Sequence, residues 1–99
     1  MQTLVSILHH DYPALVRDTV DAKLQHLEKF HDRIVSMRAM LERQHTDHRV
    51  EIVANVGRGA VLVVDARRDD FGTALDEATS RMERMLKRDH DRRIERRRS

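Results

Sequence analysis

The chain has 99 residues, no cysteine and a formal net charge of +2. This length suits a single domain. The lack of cysteine excludes disulfides and thiolate zinc sites, in keeping with a reducing, cytoplasmic setting. No apolar run approaches the roughly 18 residues that a membrane span needs, and the N-terminus has no early positive charge of the kind that opens a secretory signal peptide.

The first third of the chain predicts a strand followed by an amphipathic helix. In the segment 1–8, Val5 and Ile7 alternate with Ser6, as in a strand that is buried on one side. Pro13 favours the first turn of a helix, where the amide hydrogen that it lacks is not needed. From Ala14 to about Phe30, apolar residues recur at spacings of four, four and three. They form one stripe, which consists of Val16, Val20, Leu24 and Leu27.

Three further strands are predicted between residues 34 and 66. Apolar and polar residues alternate over 34–42 and again over 50–56, as in half-buried strands. The polar residues 44–48 form a turn between these strands, and Gly57-Arg58-Gly59 is a tight-turn signal. Residues 60–66 are mostly apolar and β-branched, so a fourth strand is predicted there. The side of the sheet on which each of its residues lies is left open.

A second helix is predicted to begin at Asp69 or Asp70, either of which can cap it. Its apolar face consists of Phe71, Leu75, Ala78, Met82, Met85 and Leu86. The helical pattern fades past Asp91, since only Ile94 is apolar beyond that point. We therefore expect one domain over 1–91 and a basic C-terminal tail over 92–99, whose order the sequence leaves open.

The element order is thus β-α-β-β-β-α, which predicts an α+β fold. Two helices packed on one face of a four-stranded mixed sheet bury every apolar stripe. The first crossover should be right-handed and should make the first two strands parallel. The second, third and fourth strands should form an antiparallel meander.

Positive charge is concentrated in the last fifth of the chain. Residues 81–99 hold nine arginines or lysines and four acidic residues, a net charge of +5. Residues 1–80 hold ten basic and thirteen acidic residues, a net charge of −3. Such polarity suits a polyanionic partner that meets one end of the molecule.

The last helix carries arginines at spacings of three, four and four, which place them on one face: Arg81, Arg84, Arg88 and Arg92. Guanidinium groups about 5–6 Å apart can follow a phosphate backbone and bind each phosphate through two hydrogen bonds. The alternative is a solvated helix face whose arginines pair with Glu77 and Glu83, since such surface ion pairs are common.

Basic residues of the first helix lie near the edge of its buried stripe. If the two helices pack side by side, Lys23, His26 and Lys29 can face the groove between them. Basic edges of both helices would then frame one cleft. Tyr12, Phe30 and Phe71 are the only aromatic residues, so base stacking is not expected. Any contact with RNA should be to its backbone and should depend on its shape rather than on its base edges.

No metal, cofactor or catalytic site is predicted. His9 and His10 are adjacent and would point apart on a strand, and His45 and His48 occupy a loop without a complete set of zinc ligands. No nucleophile, base and orienting group can be recognised from spacing. The sequence therefore predicts a protein that is not an enzyme and that binds no small-molecule substrate or membrane.

The sequence resembles a known family through two segments. The first runs through Val16-Arg17, Val20, Lys23-Leu24, Leu27-Glu28-Lys29-Phe30 and Arg33-Ile34. The second runs through Asp70-Phe71, Ala74-Leu75-Asp76-Glu77 and Arg81-Met82-Glu83-Arg84-Met85-Leu86-Lys87-Arg88. Across essentially its whole length, the chain resembles the short type of the ribosome hibernation-promoting factor family, also called ribosome-associated inhibitor A or sigma-54 modulation protein. The second, dimerising domain of long members has no counterpart in the sequence.

This resemblance implies binding to the small ribosomal subunit in the channel used by messenger and transfer RNAs. It implies inhibition of translation in stress or stationary phase. The ribosomal RNA contacts that we expect combine the resemblance with the basic spacing: Lys23, His26, Lys29, Arg81, Arg84, Lys87, Arg88 and Arg92. The sequence departs from the family at Pro13, where a Thr cap is usual, at His26, where Lys is usual, and at Gly72, where Tyr is common.

Two other classes of function stay open at this point. In one, the basic helix docks an acidic protein partner, and the protein is a protein–protein regulator. In the other, His9, His10, His45 and His48 build a metal site or an enzyme. We prefer the non-catalytic ribosome-binding inhibitor.

Overall fold

The computed structural model describes residues 1–8 and 11–98. In this part of the chain, the strands are β1 (Gln2–Leu8), β2 (Ile34–Gln44), β3 (Asp47–Val56) and β4 (Ala60–Arg68), and the helices are α1 (Ala14–Leu27) and α2 (Phe71–Arg98). A 3-10 turn, Glu28–Phe30, follows α1, and a second, Gly57–Gly59, joins β3 to β4. The sheet order is β1-β2-β3-β4, with β1 parallel to β2 and the other pairs antiparallel. The predicted α+β fold is confirmed.

The core lies between the two helices and one face of the sheet. Its fully buried side chains include Leu24 of α1, Met82 and Leu86 of α2, and Met37 and Ile52 of the sheet. These come from the stripes and alternating positions that the sequence predicts.

The structure settles which side of the sheet each residue of β4 faces. Val64 and Ala66 are buried in the core, and Leu62 packs against it. Val61 and Val63 alternate with them and are about half exposed, at 55% and 49%. The second face of the sheet is therefore open, with apolar side chains on it.

The hairpin of β2 and β3 is tighter than the sequence predicts. Pairing continues as far as Gln44 opposite Asp47, so the turn is His45-Thr46 rather than the whole of 44–48. The additional pairs are polar, with Arg43 opposite His48 and Gln44 opposite Asp47. Next to them, Arg49 lies 3.8 Å from Glu42 across the two strands. Apolar alternation cannot reveal strand extensions that ion pairs stabilise.

Helix α2 continues to Arg98, past the point at Asp91 where its apolar pattern fades. Polar contacts hold this part of the helix: Arg93 Nε donates to Asp89 Oδ2 at 2.8 Å, and Arg93 Nη2 donates to the carbonyl oxygen of Gly57 at 2.8 Å. The division of the chain into a domain over 1–91 and a tail over 92–99 stays a prediction, and Ser99 lies outside the described residues.

The helices begin differently. Asp70 accepts hydrogen bonds from the Thr73 amide at 2.9 Å and the Thr73 hydroxyl at 2.8 Å, which confirms it as a cap of α2. These bonds lower the pKa of the Asp70 carboxyl. Pro13 stands just before α1, and its carbonyl accepts the amide of Val16 at 2.9 Å. Neither described helix is long and apolar enough to cross a membrane.

Candidate nucleic-acid interface

The predicted cations of α2 emerge on two edges of the helix. Arg81 faces β4, where its guanidinium donates to the carbonyl oxygen of Asp65 and to Glu77 Oε1, the latter at 2.7 Å. Arg88 and Arg92 lie on the same edge and help to line a cavity of about 390 Å³ that reaches β4. Lys87 lies on the opposite edge, beside the turn that follows α1.

The groove between the helices has a mixed lining. This inter-helix groove, of about 510 Å³, is lined by Thr19, Lys23 and His26 from α1 and by Thr79, Ser80 and Glu83 from α2. The Lys23 ammonium lies 3.5 Å from Asp76.

Lys23 and His26 thus face the groove as predicted, but α2 contributes hydroxyls and a carboxylate to its lining instead of arginines. Two basic edges do not frame this groove. The 3.6-residue repeat turns Arg81 and Arg88 towards β4, away from α1.

A second group of predicted cations gathers around Phe30. The ammonium groups of Lys29 and Lys87 lie 5.1 Å and 4.9 Å from the centre of its ring. His26 meets the same ring edge-on at 6.0 Å. An ammonium at this distance is attracted by the ring quadrupole. We call Phe30, His26, Lys29 and Lys87 the Phe30 cluster; it joins the end of α1 to the middle of α2.

Arg84 lies between the two edges of α2. It follows Met82 by two residues, which places it about 200° around the helix, on the opposite side. Because Met82 points into the core, Arg84 is exposed. Within residues 1–8 and 11–98, no carboxylate forms an ion pair with Arg84, Arg88 or Lys29. These three groups can therefore bind phosphate without first breaking an ion pair. Together with Lys87 they form what we call the helix-layer surface.

Two of the other predicted cations, Lys87 and Arg81, are already paired with carboxylates. Lys87 meets Glu83 at 3.0 Å, and Arg81 meets Glu77 at 2.7 Å, both four residues apart on α2. The Lys87 side chain is 54% exposed. Ion pairs this exposed contribute at most about 1 kcal/mol, so Lys87 can exchange its carboxylate for a phosphate at little cost.

A buried network that sequence patterns do not reveal lies beside this surface. The His31 side chain is fully buried. The amide of Arg33 donates to His31 Nδ1 at 3.0 Å, so Nε2 carries the proton and donates to Asp89 Oδ2 at 2.7 Å. Arg93 donates to the same oxygen. Burial opposes the charge of Asp89, but the hydrogen bonds from His31 and Arg93 outweigh it and lower the pKa of this carboxyl.

This network is structural rather than catalytic, because both ring nitrogens of His31 are engaged inside the protein. The spacing of Asp89 and Arg93 by four residues was the one available signal in the sequence. Nothing in the sequence marks His31 as their partner, since it is 58 residues away from Asp89.

The histidines of the metal hypothesis do not form a cluster in the described part of the chain. There, no group of three or more His, Cys, Asp or Glu residues could hold a metal ion. His45 is exposed in the β2–β3 turn, and His48 Nδ1 shares a 2.7 Å hydrogen bond with the Tyr12 hydroxyl. His9 and His10 lie outside the described residues.

Comparison with known proteins identifies relatives over almost the entire chain. Residues 5–94 match the family described as sigma 54 modulation protein / S30EA ribosomal protein. A ribosome hibernation promoting factor of Azotobacter vinelandii is 29% identical over 96 residues, which cover 97% of this chain and 89% of the relative. One of Pseudomonas putida is 27% identical over 88 residues, which cover 89% and 85%.

Solved structures share the fold. The N-terminal domain of Protein Y from Thermus thermophilus matches with a TM-score of 0.76 and 26% identity, over 89% of this chain and 98% of that domain. A ribosomal subunit interface protein from Coxiella burnetii matches with a TM-score of 0.79 over 89% and 96%. At 17% identity, the second match supports the fold alone.

Proposed function

Because the chain belongs to the sigma 54 modulation protein / S30EA ribosomal protein family, we propose that it is a ribosome hibernation factor. In this proposal it binds ribosomal RNA of the small subunit, in the channel used by messenger and transfer RNAs, and inhibits translation under stress or in stationary phase. The observation that carries the proposal is the family match over 5–94, which spans the sheet and both helices. The role is one of binding, without a catalytic step, and belongs to the cytoplasm.

The helix-layer surface is the proposed site of contact. Lys29, Arg84 and Arg88 lack ion-pair partners in the described structure, and Lys87 has an exchangeable one. Arginine and lysine side chains of this kind bind phosphate oxygens without reading the base sequence. The Phe30 ring beside this surface already lies against two ammonium groups, which favours contact with the RNA backbone over base stacking.

We assign secondary roles in RNA binding to the other predicted contact residues. Arg81 ties α2 to β4 through the Asp65 carbonyl, so we assign it a positioning role beside the RNA. Lys23 and His26 stand at the inter-helix groove, where they can meet a strand that passes over α1. Arg92 extends the β4-side edge of α2 towards the end of the helix.

The test is co-sedimentation of the full chain with purified small ribosomal subunits at low and high salt. We expect binding at low salt and its loss at high salt. Binding to phosphates releases the counterions that surround the RNA, and added salt opposes this release. The charge reversal Arg84→Glu with Arg88→Glu should abolish binding at low salt. The matched control is Arg38→Glu with Arg67→Glu, two exposed arginines on the open face of the sheet. Unchanged binding by the first variant, or equal loss in the control, would contradict the proposed surface.

An acidic protein partner for α2 is the competing explanation, and a nuclease separates it from RNA binding. Pull-down from extract before and after nuclease treatment should show ribosomal components that disappear with the RNA. A partner that survives the nuclease and depends on Arg84 and Arg88 would favour the protein–protein regulator instead.

A further inference from the structure

A separate concave site lies where the end of α2 meets two loops. It is a cavity of about 330 Å³, lined mainly by arginines from three segments of the chain. Arg33 precedes β2, Arg58 lies in the turn between β3 and β4, and the others come from the last turns of α2. We call it the arginine cavity, after Arg33, Arg58, Arg92, Arg93, Arg96 and Arg97.

The charge of this cavity is strongly one-sided. Asp89 is the one carboxylate among the described residues that line it, and that carboxylate already accepts hydrogen bonds from His31 and Arg93. The described residues of the lining, six arginines and one aspartate, have formal charges that sum to +5, against +2 for the whole chain. Like charges that line one cavity repel one another, so an anion that enters is stabilised by their combined field.

The frame around the cavity is fixed by hydrogen bonds. The amide of Gly57 donates to the carbonyl of Arg33 at 2.8 Å, and Arg93 donates to the carbonyl of Gly57 at 2.8 Å. These bonds tie the β3–β4 turn to both the start of β2 and the end of α2. Ala60, whose side chain is a single methyl, also lines the cavity and leaves space between the longer arginines.

We propose that the arginine cavity binds a compact polyphosphate group, such as that of a nucleoside di- or triphosphate. Guanidinium groups recognise phosphate oxygens through paired hydrogen bonds, and here arginines from three segments of the chain line one small volume. About 330 Å³ is at the lower end of the range for small-molecule sites. Consecutive phosphates of one polyphosphate can fill such a volume, whereas a phosphodiester chain spaces its charges along a strand.

This site goes beyond the proposed ribosomal role. It adjoins the helix-layer surface at Arg92, which lines a neighbouring cavity together with Arg88, and it extends from there towards the end of α2. Arg84 and Arg97 are thirteen residues apart on α2, about 20 Å along the helix. Arg92 belongs both to the cavity and to the predicted RNA contacts, so the experiment leaves it unchanged.

The experiment is calorimetric titration of the full chain with sodium tripolyphosphate, and with a short RNA oligonucleotide that ends in a 5′-hydroxyl. The variant is Arg58→Gly with Arg97→Gln. Arg58 has φ 71°, which glycine adopts readily, and glutamine suits an exposed helix position, so the fold should be retained. The control, Arg38→Gln with Arg67→Gln, removes the same charge from the open face of the sheet.

We expect saturable binding of tripolyphosphate that weakens at least about tenfold in the cavity variant and changes little in the control. No binding of tripolyphosphate, or equal weakening in both variants, would overturn the proposal. So would oligonucleotide binding that depends on Arg58 and Arg97 while tripolyphosphate binding does not, because the cavity would then take phosphodiester. Retained co-sedimentation of the cavity variant with small subunits would support a site separate from ribosome binding, and its loss would oppose that separation.

Discussion

At the scale of single residues, Asp89 joins three parts of the chain that are distant in sequence. One of its oxygens accepts hydrogen bonds from His31, next to the turn after α1, and from Arg93, which in turn holds the β3–β4 turn. Since the Asp89 side chain is only 17% exposed, water cannot readily replace these partners. The carboxylate thereby fixes the position of the second half of α2.

Replacing this carboxylate should destabilise the fold. We expect Asp89→Asn to lower the free energy of unfolding by about 2–3 kcal/mol, because the variant gives up hydrogen bonds to a charged group inside the protein. The measurement is urea denaturation. Asp76→Asn is the matched control, since its partner Lys23 is exposed, and its effect should stay below about 1 kcal/mol. Equal effects of the two substitutions would refute the special role of Asp89.

The same carboxylate should govern part of the stability in acid. Its pKa is lowered in the folded protein from an ordinary value of 3.8, so its contribution is complete above pH 3.8 and is lost as the pH falls through the folded value. Asp89→Asn should remove the contribution of Asp89 to the acid dependence of stability. The wild-type and variant proteins should therefore have similar free energies of unfolding below the folded pKa of Asp89. Urea unfolding on both sides of pH 3.8 measures it. A constant difference between the two proteins at every pH would be incompatible with this linkage.

The sequence predicts the structural role of some residues but not of others. The cap at Asp70 was predictable, because a cap is decided by neighbours within three residues. His31 was not, because its partner Asp89 is 58 residues away. Arg58 was not, because only the folded chain brings it to the same cavity as the end of α2.

At the scale of elements, the His45-Thr46 turn carries strain that could be relieved. His45 has φ 56°, a conformation that side chains with a Cβ rarely adopt. We expect His45→Gly to raise the free energy of unfolding by about 0.5–1 kcal/mol, measured by thermal or urea denaturation. Thr46 has no positive φ, so Thr46→Gly should lower stability through the entropy of the unfolded chain. Stabilisation by both substitutions would show that the turn has another conformation.

The elements themselves were largely predictable, and their ends were less so. Apolar periodicity located every helix and strand of the described chain, because burial on one face imposes that period. It missed the end of β2, the start of β3 and the end of α2, where Arg49 and Arg93 make polar contacts. Polar contacts of this kind leave no mark on the apolar pattern.

At the scale of the whole molecule, the sheet and the helix layer have different surfaces. The sheet exposes Leu4, Val61 and Val63, whereas the helix layer exposes arginine and lysine. The sequence predicted both the layers and the basic character of the helices. It did not predict that Arg81, Arg88 and Arg92 of α2 lie on the β4 side rather than the α1 side, since the rotation of a helix about its axis depends on how its neighbours pack.

The number of side chains that bind phosphate should determine how steeply ribosome binding weakens with salt. Removing one side chain that binds a phosphate should reduce the slope of log K against log salt by about 0.7–0.9. For Arg84→Gln with Arg88→Gln we therefore expect a slope smaller by about 1.4–1.8, measured by titration with small subunits across a salt series. Weaker binding with an unchanged slope would mean that these arginines act on the fold and not on phosphate.

The ring of Phe30 has a consequence for the thermodynamics of association. A free lysine side chain loses up to about 2 kcal/mol of rotational freedom when a partner immobilises it. Lys29 and Lys87 are confined against one ring within the isolated protein, so part of that entropy is already lost on folding. In the proposed complex with RNA, their ammonium groups would meet the phosphates already preorganised, and more of the contact energy would be retained as affinity.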